Sequence, residues 1–132
     1  MHEVAFGAEL VAMQYQRLVA EDTDRLWIAT TCPAVFGYVE RYHPDLTDAL
    51  APIVSPMVAT ARLLRAMHDD AIRVVFVGPC IAKKREFVET GLGDYNVTFL
   101  ALSEHLGARG IDLAGVPEAD FDSPAAERAV LF

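Results

Sequence analysis

An α/β fold, with a parallel sheet flanked by helices, is what this sequence predicts. Three observations carry that expectation. Apolar residues recur at helical spacing in several stretches. Short runs rich in β-branched residues lie between those stretches. The runs are continuously apolar rather than alternating, which is the pattern of parallel strands covered on both faces. Strands that alternate with helices are joined by crossovers, and crossovers give parallel pairing. The chain has 132 residues, 53% of them hydrophobic. That suits one domain with a buried core. No internal repeat, low-complexity tract or Gly/Ser linker divides it, so residues 1–132 are read as a single domain.

Each element has its own signal. Val4, Ala8, Val11, Tyr15 and Leu18 share a helical face, so a helix is expected over about 3–20, ended by Asp22 to Asp24. Leu26-Trp27-Ile28-Ala29-Thr30 reads as a short buried strand, and residues 34–42 as a helix after Pro33. Residues 51–56 form a loop in which Ser55 is a good N-cap and Pro56 suits the first helical position. Met57, Ala61, Leu64 and Met67 continue as that helix's buried stripe, and His68-Asp69-Asp70 ends it. Arg73-Val74-Val75-Phe76-Val77 is the clearest strand, stopped by Gly78-Pro79. A strand over about 95–97 leads into a helix over about 99–109, with Thr98 as cap, Phe99, Leu102 and Leu106 inside, and Gly110 as stop. A last helix is expected from Ser123-Pro124 to the end. The resulting order is helix, strand, helix, helix, strand, helix, strand, helix, helix.

The whole-chain balance excludes some partners. A net charge of −8 argues against nucleic acid and against anionic membrane surfaces. No stretch approaches the ~20 apolar residues of a membrane span. The first ten residues contain Glu3 and Glu9 and no basic start, so no signal peptide is read there. A cytoplasmic location follows as the expectation, with thiols kept reduced.

The chain has two cysteines. Each follows a predicted strand: Cys32 after 26–30 and Cys80 after 73–77. Parallel strands would set both at the carboxyl edge of the sheet, where open α/β folds place their sites. Two soft thiolates there suit a soft metal or an iron–sulfur cluster. Two buried, inert cysteines are the commoner outcome for such positions. Lys83, Lys84 and Arg85 follow Cys80 and would favour a thiolate or an anionic ligand, although a solvated basic helix end is the preferred account of them from the residues alone. His2, His43, His68 and His105 have no ligand spacing and are read as surface residues. Gly91-Leu92-Gly93-Asp94 lacks the strand-to-helix context of a phosphate loop.

Three segments, in order, resemble iron-only hydrogenases. Gly78-Pro79-Cys80-Ile81-Ala82-Lys83-Lys84-Arg85-Glu86 is similar to that family's Pro-Cys-x-x-Lys-Lys-x-Glu motif. Thr30-Thr31-Cys32-Pro33-Ala34 resembles its Thr-Ser-Cys-Cys-Pro motif. Leu50 to Met57 looks like its Leu-Ser-Pro segment. Gly7-Ala8-Glu9 and residues 94–102 also fit the family's pattern of elements. The resemblance implies one lobe of the hydrogenase catalytic domain. It implies that Cys32 and Cys80 are two of the four cysteine ligands of a 4Fe–4S cluster, bridged in the full-length parent to a two-iron centre. Lys83 would contact an anionic ligand of that centre, and Glu86 would belong to a proton path.

Two departures shape the functional expectation. Thr31 stands where the family carries the cysteine that passes protons to the two-iron centre. A hydroxyl is a far poorer acid than a thiol. The family's third cysteine motif is not among these residues, so two thiolates stand against the four that a cubane needs. The chain is therefore expected to be a piece of a longer protein and, alone, to bind no cluster and turn over no hydrogen. The leading expectation is an iron–sulfur lobe used in hydrogen or redox sensing or electron transfer. A cluster-free scaffold, a piece of an active hydrogenase, and a relative of the cytosolic iron–sulfur assembly factors are the alternatives. Expected partners are the remainder of the parent domain and redox or signalling domains. Self-association through apolar surface left uncovered is a further expectation.

Overall fold

The computed structural model describes residues 1–68 and 71–122. Helix α1 spans Val4–Glu21, α2 Pro33–Tyr42 and α3 Pro56–His68. Strand β1 spans Val75–Val77, α4 Lys83–Thr90, β2 Tyr95–Val97 and α5 Phe99–Gly107. Short 3-10 turns cover Pro44–Ala49 and Leu113–Gly115. The two strands form a parallel sheet, with Val75 opposite Tyr95 and Val77 opposite Val97. This is the α/β arrangement that the sequence predicts, reduced to one β–α–β unit flanked by helices.

The α1–α3 pair is the scaffold. Gly7, Ala8, Val11 and Ala12 are the buried face of α1, so small residues let the two helices approach. A Cβ on Gly7 would run into the Thr60 hydroxyl and the Pro56 carbonyl. Ser55 is fully enclosed and accepts the Val58 amide at 3.4 Å, which starts α3 as its cap. Met57, Val58 and Ala61 of α3 then meet Val74 and Phe87 in the core. Phe76 packs edge-on against Phe87, tying β1 to α4.

Asp94 closes the sheet. Its Oδ2 accepts the Val74 amide at 2.7 Å and the Arg65 guanidinium at 3.1 Å. Arg65 also donates to the Leu92 carbonyl, so α3 holds the loop that enters β2. Gly91 ends α4 in the left-handed conformation, φ 65°, where a side chain would be strained.

Several expectations are corrected. Residues 26–30 do not form a strand: Ile28 makes one parallel bridge to Leu50, and Leu26 is 71% exposed. The ladder stops there because the Thr30 amide is taken by the Tyr15 hydroxyl. β1 is not covered on both faces; Val74 and Phe76 turn to the core, while Val75 and Val77 are exposed. Helix α5 begins at its predicted cap, with Thr98 accepting the Ala101 amide, but ends at Gly107. Gly110, φ 69°, follows in the turn beyond it. None of Phe99, Leu102 and Leu106 is buried, and Met67 of α3 is exposed. The core opens beside these residues into a groove of about 820 Å³, lined by Val4, Leu64, Ile72, Phe76 and Phe99. His43, His68 and His105 are at the surface, and His2 is half-buried. The helix expected from Ser123 lies outside the described residues, as do Asp69 and Asp70.

Gly7→Ala is expected to lose about 1–3 kcal/mol of stability, because the added methyl meets backbone that cannot yield. Denaturant unfolding of the variant checks this; an unchanged midpoint would mean that α1 does not sit this close to α3.

A lysine-bridged pair of cysteine turns

Cys32 and Cys80 reach the site by different routes. Cys80 lies three residues beyond β1, after Gly78 donates to the Val97 carbonyl at 3.0 Å and Pro79 turns the chain. Cys32 is the N-cap of α2, with Pro33 in the first turn and the Phe36 amide bonded to the Cys32 carbonyl at 3.0 Å. Since 26–30 is not a strand, Cys32 follows a bridge rather than a strand of the sheet. Both cysteines are free and half-buried.

Lys83 joins the two turns. It is the first residue of α4, three positions after Cys80. Its ammonium donates to the Thr31 carbonyl at 3.0 Å and to Glu86 Oε2 at 2.8 Å. The Lys83 and Glu86 side chains are only 13% and 15% exposed. A charge so nearly enclosed must be paired, and here one partner is the backbone next to Cys32. Thr31 therefore takes part through its carbonyl.

Three further contacts brace the arrangement. Tyr15 of α1 accepts the Thr30 amide at 2.8 Å. Asn96 of β2 donates its side-chain amide to the Cys80 carbonyl at 3.2 Å. Arg85 spans from α4 to Glu40 of α2 at 2.9 Å and to Glu89 at 2.6 Å. Those hydrogen bonds, Glu89 first and Glu40 next, hold the Arg85 guanidinium above its ordinary range. Gly37 leaves room for it, since a Cβ there would sit 2.8 Å from the guanidinium. A cavity of about 260 Å³ lies beside Glu86, between Thr30, Pro33, Phe36 and Ile53.

Lys83, Lys84 and Arg85 open α4, where Lys84 and Arg85 are exposed as in a solvated basic helix end, and Lys83 alone is enclosed. Sequence reasoning overlooked Tyr15, Thr30, Asn96 and the Arg85–Glu40 pair. A tyrosine within an apolar helical stripe was one readable signal, because a buried phenol seeks a partner. Asn96, in a three-residue strand, offered none. Among the described residues, no group of three or more His, Cys, Asp or Glu side chains is set to hold a metal ion.

Comparison with known proteins gives concordant results. Among curated proteins, the NADP-reducing hydrogenase subunit HndD of Solidesulfovibrio fructosivorans is 29% identical over 89% of this chain and 23% of its own length. The cytosolic Fe-S cluster assembly factor NAR1 of Yarrowia lipolytica is 31% identical over 61% of this chain and 18% of its own. The chain thus spans about a quarter or less of these relatives. A variant of the FeFe-hydrogenase HydA1 from Chlamydomonas reinhardtii superposes with a TM-score of 0.79 at 25% identity, covering 92% of this chain and 36% of that one. An apo variant of the same enzyme gives a TM-score of 0.77 at 23% identity, with the same coverage, and supports the fold alone. The family described as the C-terminal domain of the iron only hydrogenase large subunit matches residues 1–131. With that match over almost its whole length, the chain belongs to the family of C-terminal domains of iron-only hydrogenase large subunits.

Proposed function

We propose that this chain is the lobe of a hydrogenase-like protein that supplies two thiolates, Cys32 and Cys80, to an iron–sulfur cluster. The reading extends to a role in hydrogen or redox sensing or in electron transfer. One observation carries it: an enclosed ammonium, Lys83, holds the turn of Cys32 and the turn of Cys80 together.

The donor set fits such a cluster in kind and falls short in number. Thiolates are the ligands iron–sulfur clusters use, and four are usual; this chain has two cysteines. Under this proposal the other two come from the remainder of a longer polypeptide, on the scale of the relatives that the chain spans in part. Redox or signalling domains in the same polypeptide would be its partners, and the cytosol its location. A bound cluster would supply one-electron transfer. What the chain's own residues do is narrower. Lys83 presents a compact cationic donor suited to an anionic ligand. Glu86 holds a carboxylate between that ammonium and the cavity beside it, a place from which a proton can be exchanged. Thr31 offers a hydroxyl where a thiol would be the better acid, which favours sensing over rapid turnover. A cluster-free scaffold is the second reading, favoured by the count of two thiols.

Anaerobic reconstitution of the full-length polypeptide with iron and sulfide tests the proposal by visible absorption and electron paramagnetic resonance. Cluster signals are expected in the unsubstituted protein and are expected to be lost in both Cys32→Ala and Cys80→Ala. A signal indifferent to both substitutions, or no signal at all, would leave the scaffold reading. The 132-residue chain alone is expected to evolve no hydrogen in a standard reductant assay. Lys83→Met should cost about 1.5–3 kcal/mol, the range for hydrogen bonds to a charged group, whereas exposed Lys84→Met should change little; denaturant midpoints of the two variants check this.

A further inference from the structure

We infer that Tyr15 and Asn96 are positioning residues, each setting one cysteine: Tyr15 the turn that ends in Cys32, and Asn96 the turn that carries Cys80. Their functional weight rests on the ligand reading above; the placement itself does not depend on any metal.

Tyr15 acts by diverting the chain. Ile28 bridges Leu50 through two bonds, its amide to Ala49 at 2.7 Å and its carbonyl to the Ala51 amide at 2.9 Å. In a parallel ladder the next amide, that of Thr30, would go to the same neighbouring segment. It goes instead to the Tyr15 phenol, at 2.8 Å. The neighbouring acceptors are taken by the Thr30 side chain, whose hydroxyl lies 3.0 Å from the Ala51 carbonyl and 2.5 Å from that of Ile53. One hydroxyl proton serves those two carbonyls, so at 3.2 Å the phenol is the donor to Thr30 Oγ1. Thr30 is 7% exposed, so all of these groups need partners. The pairing ends the bridge and turns the chain into α2, with Cys32 at its cap two residues later.

Asn96 acts from the opposite side. It sits mid-strand in β2, in register with Phe76, and donates to the Cys80 carbonyl. Its Oδ1 is buried without a partner. The carboxamide nevertheless keeps this orientation, because exchanging its ends would set two acceptors face to face. A buried polar atom left unpaired is costly, and the bond to the Cys80 turn is what that cost secures. The two clamps share no residue and stand on different elements, so each can be released alone.

Thiol alkylation separates them. Iodoacetamide rates on the metal-free native chain can be read cysteine by cysteine, because trypsin places Cys32 in peptide 26–41 and Cys80 in peptide 74–83. Tyr15→Phe is expected to speed alkylation of Cys32 by roughly two- to tenfold, the factor that one net hydrogen bond represents, and to leave Cys80 unchanged. Asn96→Ala should do the reverse. A general loss of stability would move both rates together, and that result, or no change in either, overturns the inference. Should Tyr15→Phe fail to fold, exchange of the Thr30 amide in the unsubstituted chain decides: protection supports the clamp, and exchange at the rate of a free amide refutes it. Absence of a cluster on reconstitution, with the alkylation pattern intact, would remove the ligand reading and leave the positioning one.

Discussion

The ammonium of Lys83 is the constraint on which the site depends. A lysine this enclosed cannot be left without acceptors, and the two it has are far apart in sequence: Glu86 one turn along its own helix, and the Thr31 carbonyl 52 positions back. The first bond is local and would form in any such helix. The second forms only if α2 and α4 are brought side by side, so the charge turns a tertiary arrangement into an energetic requirement. Bonds to a charged group are worth more than neutral ones. Removing one partner would strand the other in a poorly solvated place.

Everything around Lys83 serves that approach. The small-residue face of α1 lets it lie close against α3, and from there Tyr15 reaches the turn before Cys32. Asp94, bonded to Arg65 and to the Val74 amide, sets the start of β2, and two residues on Asn96 reaches the turn of Cys80. Arg85 then pairs across to Glu40 on the outside, where solvent weakens the contribution. The core of Met57, Val58, Ala61, Val74 and Phe87 lies beneath and keeps α3, β1 and α4 in register. Among the described residues the scaffold is lean: two strands of three residues and an open apolar groove.

Fold and site were legible to different degrees, for physical reasons. Helices declare themselves by the recurrence of apolar residues, so α1, α3 and the α5 start at Thr98 were readable within a residue or two. The clearest strand, 73–77, was readable as a strand, but not that only one of its faces is covered. Burial depends on what packs there, and an apolar run looks the same covered or bare. Residues 26–30 show the limit most plainly. Their composition is that of a strand, yet one phenol from α1 claims the Thr30 amide and the ladder ends after a single bridge. A competing acceptor from a distant element leaves no mark on the local pattern.

By itself, then, the sequence determined the α/β class and, through its two cysteine motifs, the family, and it named Cys32, Cys80, Lys83, Glu86 and Thr31 as candidates for chemistry. These are properties of residue type and spacing, which the chain holds whether folded or not. Only the tertiary structure decided that Lys83 binds the turn of Cys32, that Thr31 contributes its carbonyl there, and that Tyr15 and Asn96 bond the Thr30 amide and the Cys80 carbonyl. Those contacts join positions 15 to 52 residues apart. Hydrogen bonds over such separations form only once packing has fixed where each backbone group points, and no local pattern encodes that direction.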